Sequence, residues 1–350
     1  MEYYDAVIIG AGQAGIAMGY YLKKEGISFI VCDENERIGD SWRKRYDSLV
    51  LFTPRRYSCL PELRMNGSAD GFPTKDEMAN YLASYVNHFN IPVKCNTLVY
   101  NIIKKHDLFY VETNKGRIEA KNVIIASGAF QKPYIPPVFK EHEQHPLQFH
   151  SSSYVSPRQI PKTSVLIVGG GNSGAQIALE LAKEREVTMA VSHRLKFLPL
   201  RFLGRSIFDW LERLGLLYAG VDTKRGKWFK KQKDPIFGKE LKGYIKNKQV
   251  QLKPKVVSVI GKEVVFEDHS RQTFDTVIWA TGFVPSYEWI SIEGVKDSDG
   301  KPIHKRGISE IDGLYFLGLP WQYQRGSALI CGVSHDANYL LSHILTNLQK

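Results

Sequence analysis

Apolar residues along the chain gather into short runs rich in valine and isoleucine. They read "AVIIG" from residue 6, "SFIVCD" from 28, "VIIASG" from 123, "SVLIVGG" from 164, "VTMAVS" from 187 and "TVIWATG" from 276. Segments of helical pattern separate them, and that alternation predicts parallel sheets flanked by helices, an α/β fold. The polar, proline-containing stretch "HSSSYVSPRQIPK" interrupts the series before "SVLIVGGG" opens a second unit. A junction is therefore expected near residue 155, and "DTVIWATGFVP" reads as the strand that closes the second unit. The segment from 313 to 344 supplies a last strand and an amphipathic helix. The expected division is 1–155, 156–280 and a returning part, 281–350.

One local pattern occurs twice. "DAVIIGAGQAGIAMGYYL" starts at residue 5 and "SVLIVGGGNSGAQIALELA" at 164, each a strand, a glycine turn and a helix. In the first copy Gly10 permits a tight turn, and Gly12 lets backbone approach a pyrophosphate. Gly15 lets the helix pack closely, so that the N–H groups around Gln13 and Ala14 face the anion. The next strand ends in Asp33, a carboxylate suited to ribose hydroxyls. The second copy offers Gly169, Gly171 and Gly174 with Asn172 and Ser173. Its next strand runs into Ser192-His193-Arg194, with no acid. A carboxylate there would repel a 2′-phosphate and an arginine would bind it, so NADPH is expected on His193 and Arg194.

Two cradles imply two dinucleotides at once, a hydride donor and its acceptor: NADPH and FAD. The fold expected is two Rossmann-like dinucleotide-binding domains, with the NADP domain inserted in the FAD domain. Two strand tips support it. "VIIASGAF" ends at Ser127 and Gly128, and "VIWATGFVP" at Ala280, Thr281 and Gly282. Small residues at such tips let backbone run close to a cofactor or cross between domains.

Composition narrows the class. A length of 350 residues, 43% hydrophobic and 24% charged, suits two soluble domains with cores of their own. No run approaches the ~18 apolar residues of a membrane span. Glu2 and Asp5 argue against a signal peptide, so a cytoplasmic enzyme is expected. Cys32, Cys59, Cys95 and Cys331 form no Cys-x-x-Cys pair and no zinc pattern. The net charge of +11 is concentrated in residues 224–248, where ten lysines and arginines face Asp234 and Glu240. No nucleic-acid fold motif accompanies that block, so it reads as a solvated face. His142, His145 and His150 in "HEQHPLQFH" mimic metal spacing, but no rigid helix holds them and no metal site is expected.

The chain resembles the flavin-containing monooxygenases of the two-dinucleotide-fold class, nearest to the bacterial CzcO-like flavoproteins and similar also to the plant YUCCA-type enzymes. The resemblance rests on "GAGQAGIAMGYYL", "IGDSWRKRYDSLVLFTPRRYSCLP", "HSSSY", the second glycine motif, "ATGF" and "GLYFLGLP…GSALICGVSHDA". It implies that Ser41 and Trp42 lie along the FAD ribityl chain and ring. It brings Phe52 and Thr53 to the flavin with Cys59 nearby. Ser327, Ala328 and Leu329 are set against the pyrimidine edge, with backbone N–H groups facing N1 and O2. Val99 and Gly318 complete the FAD set. Asp40 stands where the family commonly has a second glycine. Of the family's Phe-x-Gly-x-x-x-His-x-x-x-(Phe/Tyr) fingerprint, His150 and Tyr154 match while Gln144 and Pro146 depart.

The resemblance implies an NADPH-dependent FAD monooxygenase that oxygenates a small N-, S- or C-centred substrate through a C4a-hydroperoxyflavin. No protein side chain needs to be catalytic, because the flavin carries the chemistry. The partners expected are a small-molecule substrate and O2, with no nucleic acid and no membrane span; the oligomeric state stays open. Two alternatives remain. One is an NAD(P)H-dependent reductase or oxidase passing electrons to a protein partner or to O2. The other is a non-enzymatic accessory flavoprotein of redox or metal handling.

Overall fold

The computed structural model describes residues 2–139 and 145–350. Its first unit is built on β1 (Glu2–Ile9), β2 (Phe29–Cys32), β3 (Val93–Lys94), β4 (Val99–Lys105), β5 (Leu108–Thr113) and β6 (Gly116–Ile125). They form one sheet in the order β3-β2-β1-β6-β5-β4, and the late strand Leu314–Phe316 joins it by pairing parallel to β6. The continuous apolar runs follow from coverage on both faces. Ala6, Ile8 and Ile124 face α1 (Gln13–Lys24), α3 (Lys75–Phe89) and α8 (Ile330–Leu348). Val7, Ile9, Ile125 and Phe316 share the other face, packed with Phe109, Tyr287 and Ile290.

The second unit is a five-stranded parallel sheet. Its order is Val250–Lys253, Glu186–Ala190, Ser164–Val168, Thr276–Trp279, Leu147–His150. On one face α4 (Asn172–Leu181) and α7 (Glu240–Lys246) cover Val165, Ile167 and Met189. On the other, an antiparallel layer carrying Val259, Val264 and Phe266 covers Leu166, Val168 and Trp279. Between the strands Glu186–Ala190 and Val250–Lys253 the chain makes α5 (Ile207–Arg213), α6 (Lys224–Lys230) and a small hairpin, Arg201–Phe202 with Arg205–Ser206.

The junction near 155 needs correction, because the strand Leu147–His150 already belongs to the second sheet. It is an edge strand with the mixed sequence "LQFH", so it carries no apolar run to reveal it. The chain crosses between units twice, and the crossings touch. Lys132–Pro133 pairs antiparallel with Phe283–Val284, and the Tyr134 N–H donates to the Gly282 carbonyl at 3.0 Å.

Candidate functional site

Each glycine turn is packed against a strand tip of its own sheet. Gly10 has φ +105°, and a Cβ there would stand 2.5 Å from the Ala126 carbonyl oxygen. Gly169 has φ +123°, and its Cβ would stand 2.2 Å from the Ala280 carbonyl oxygen. A Cβ at Gly15 would meet the Gly10 oxygen at 1.9 Å, and one at Gly174 the Gly169 oxygen at 2.6 Å. These four glycines are demanded by backbone-to-backbone packing. The middle glycines differ: at Gly12 and Gly171 a Cβ meets nothing within 4 Å. Open space therefore lies in front of each middle glycine, where α1 and α4 begin without a side-chain cap. An uncapped helix start facing open space is an anion cradle, and both cradles fit the pyrophosphate of a dinucleotide.

Around the first cradle, Asp33 steadies the turn. Its carboxylate accepts from the Ala11 N–H at 2.6 Å and from the Asn35 backbone N–H at 2.8 Å. Val99 is buried at the start of β4, just beyond Thr97, whose N–H donates to the Asp33 carbonyl. Gly318 lies beside α1, with its Cβ position 2.9 Å from Ala14 Cβ. Ser41 is exposed and Trp42 half-buried on the short α2 (Asp40–Arg43). Asp40 itself is buried and accepts from the Arg37 N–H and the Arg43 guanidinium, so the residue replacing a glycine pins the turn.

A buried lysine behind that segment has no sequence signature. Lys75 donates to the carbonyls of Arg43 at 2.9 Å and Arg45 at 2.8 Å, and to Asp47 at 3.0 Å. Its place at the start of α3, after the capping residue Thr74, suggests only an ordinary helix start.

Phe52 stacks on Phe237 with centroids 4.4 Å apart, beside Phe208 of α5. The buried Thr53 hydroxyl is held by Ser58 at 2.7 Å. Phe208 and Phe237 border a small recess that Leu211, Phe229, Trp321 and Leu329 also line. Next to it a polar cleft of about 390 Å³ is bounded by Tyr57, Cys59, Glu212, Tyr218 and Cys331. Burial pushes the Cys331 thiol up to about 12 and raises that of Cys59, so both stay protonated near neutrality.

The expectation at the C-terminal turn is corrected in one respect. The N–H groups of Ser327 and Leu329 are engaged inside the turn, by the carbonyls of Gln324 and Gly326. A short 3-10 turn there closes those bonds, and Ala328 completes it. The start of α8 has no side-chain cap. Beneath it Asp336 is fully buried, its nearest cation the Arg306 guanidinium, with Nε 3.7 Å away. That guanidinium lies between the Tyr323 and Tyr339 rings, 3.8 Å from each centroid. Burial raises the Asp336 carboxyl above its usual range.

In the second cradle Asn172 turns its side chain inward, accepting from the Phe237 N–H at 2.8 Å and donating to the Pro235 carbonyl. Ser173 is half-buried on the first turn of α4. His193 and Arg194 follow the adjacent strand, and Arg194 is exposed, with no ion pair among the described residues. The strand tips meet at the crossing. Gln131 donates to Ser127 Oγ at 3.1 Å and to the Gly128 carbonyl at 2.9 Å, while Thr281 donates to the Tyr134 carbonyl.

The two matching fingerprint residues act here as fasteners. His150 Nε2 donates to the Gly282 carbonyl at 2.9 Å, and its Nδ1 accepts from the Ser152 N–H at 3.2 Å. Those partners require the neutral Nε2–H tautomer, and burial holds the imidazole below its usual range. Tyr154 is buried and donates to Glu180 on α4 at 2.8 Å; Tyr46 of the first unit donates to Gln176 on α4 at 2.8 Å. Of the histidine run, His142 lies outside the described residues, as does Gln144, and His145 packs edge-on against Phe139.

Residues 7–197 match the family model for pyridine nucleotide-disulphide oxidoreductases, and residues 187–304 that for flavin-binding monooxygenase-like proteins. A CzcO-like oxidoreductase of Geobacillus kaustophilus is 51% identical over 343 residues, 98% of this chain and 99% of that one. This chain belongs to the CzcO-like oxidoreductases. The CzcO oxidoreductase of Bacillus subtilis is 47% identical to this CzcO-like chain, covering 97% of it and 99% of the relative. A solved flavin-containing monooxygenase from Stenotrophomonas maltophilia shares its fold with a TM-score of 0.85 at 26% identity, covering 99% of both chains. The CzcO-like chain is thus a flavin-dependent oxidoreductase that uses FAD and NADPH. No helix among its described residues is long and apolar enough to cross a membrane.

Proposed function

We propose that this CzcO-like protein is an NADPH-dependent monooxygenase that transfers one atom of O2 to a small N-, S- or C-centred substrate. The observation that carries the reading is the doubled cradle, two uncapped helix starts with open space at Gly12 and Gly171. In this reading Gly10, Gly12, Gln13, Ala14 and Gly15 hold the FAD pyrophosphate, Asp33 the ribose, and Val99 and Gly318 border the same cofactor. Ser41, Trp42, Phe52 and Thr53 flank the flavin, and the start of α8 after Ser327, Ala328 and Leu329 faces its pyrimidine edge. Gly169, Gly171, Asn172, Ser173 and Gly174 hold the NADPH pyrophosphate, with His193 and Arg194 on the 2′-phosphate. The tips Ser127–Gly128 and Ala280–Thr281–Gly282 line the space between the two.

A bound FAD, held at the first cradle, would supply the redox chemistry, hydride acceptance and O2 activation. The protein's contribution is alignment and exclusion of water. Tyr46 of the first unit, donating to Gln176 on α4, would hold the second unit against the first, while His150 and Tyr154 brace the second unit internally. The same fold in a flavin-containing monooxygenase supports the reading.

The test is oxygen accounting. Purified protein is supplied with NADPH and a panel of amines, thioethers and indolic acids, and O2 uptake, NADPH loss, hydrogen peroxide and product are all measured. Stoichiometric oxygenated product supports the proposal. NADPH consumption with hydrogen peroxide as sole product marks an oxidase. Fast reduction of artificial acceptors without oxygenation marks a reductase.

A further inference from the structure

The segment from Phe202 to Lys233 exposes four large apolar side chains. Leu203 is 75% exposed, Leu214 58%, Trp228 56% and Phe202 51%. They are linked in one strip. The Phe202 ring meets Trp210 of α5 edge-on at 6.0 Å, and the Trp210 indole donates to the Phe202 carbonyl. Arg213 lies over the Trp210 ring, and Arg225 of α6 donates to the Leu214 carbonyl at the end of α5. Trp228 follows on the same α6.

Charge surrounds these tips. Eight lysines and arginines fall between residues 202 and 233, against Asp209, Glu212 and Asp222. Two of those acids point the other way: Asp209 pairs with Arg56, and both Asp209 and Glu212 accept from Tyr57. The outward face is therefore cationic almost throughout. Leu203 adds a further sign, since it occupies the hairpin tip with φ +48°, ahead of Gly204. A left-handed leucine costs roughly 1–2 kcal/mol where asparagine or glycine would cost little. Strain kept at an exposed tip points to an outside contact for the side chain.

We propose that this strip docks the protein on an anionic phospholipid bilayer. Leu203 and Trp228 enter the headgroup layer while the surrounding lysines and arginines sit over the lipid phosphates. Peripheral anchoring of this kind takes two signals, shallow apolar insertion and a polybasic surface, and the strip has both. A two-fold contact with a second copy would set cations against cations.

The test uses flavin-loaded full-length protein and flotation with vesicles of phosphatidylcholine, alone or mixed with phosphatidylglycerol. Binding is expected only with phosphatidylglycerol present, falling as salt is raised. The double variant Leu203→Ser, Trp228→Ser should bind roughly ten- to a hundredfold more weakly, with unchanged flavin content and unchanged NADPH oxidation in the absence of vesicles. Equal binding to neutral vesicles, or none to anionic ones, overturns the proposal. Full binding by the double variant also overturns it, because charge alone would then explain the attraction. A drop in the solution mass of the double variant by light scattering would show that a second copy occupies the strip instead.

Discussion

At the scale of single residues, the glycines of one motif separate into two kinds with opposite consequences. Gly10→Ala should destabilise the protein itself, by about 2 kcal/mol or more, because the new Cβ collides with the Ala126 carbonyl at a positive φ. Gly12→Val should fold normally, since nothing of the protein occupies that space, and yet purify with little flavin. Comparing thermal melts of the apoproteins with flavin absorbance separates the two effects; a fully yellow Gly12→Val protein would refute the first cradle as the FAD site. Arg194→Ala should raise KM for NADPH about 10- to 150-fold and leave NADH kinetics nearly unchanged, the size of a lost charge-assisted hydrogen bond. Equal effects on both nucleotides would assign Arg194 a structural part. The glycine spacing was legible because backbone packing allows no other residue at its first and third positions. Lys75, Arg306 and Asp336 were not, because a polar residue buried by tertiary contacts looks like any surface polar residue in the sequence.

At the scale of elements, the crossing and the α2 turn depend on single polar side chains. Lys75→Met keeps the apolar stem but leaves the carbonyls of Arg43 and Arg45 without their ammonium, and should cost about 3 kcal/mol. Denaturant titration measures that loss, and flavin affinity should fall with it, since Ser41 and Trp42 stand on the same turn. His150 gives a pH dependence whose sign follows from its depressed pKa. Above the unfolded value of about 6.5 both states are neutral and its contribution is complete. As pH falls below that value the unfolded chain takes the proton first, so stability declines until the folded pKa is passed. Urea unfolding between pH 8 and 5 (a range chosen around that value) should show a steeper loss for wild type than for His150→Gln. The parallel-sheet strands were legible as continuous apolar runs covered on both faces. The edge strand Leu147–His150 was not, because an edge strand needs no such run.

At the scale of the whole molecule, Tyr46 holds α4 from the first unit's side. Tyr46→Phe should leave FAD and NADPH affinities nearly intact while slowing flavin reduction several-fold, because only the mutual placement of the units is loosened. Stopped-flow reduction by NADPH, read beside equilibrium nucleotide binding, checks this; loss of NADPH affinity with normal reduction would count against it. The touching crossings also decide how the molecule bears mechanical force. β1 and α8, its first and last elements, lie in the same unit, with α8 packed on α1. Tension applied through them loads the first sheet directly, while the second unit hangs from two adjacent threads and carries none until those threads are drawn apart. Pulling should therefore rupture the first unit before the second, although the latter forms the middle of the chain.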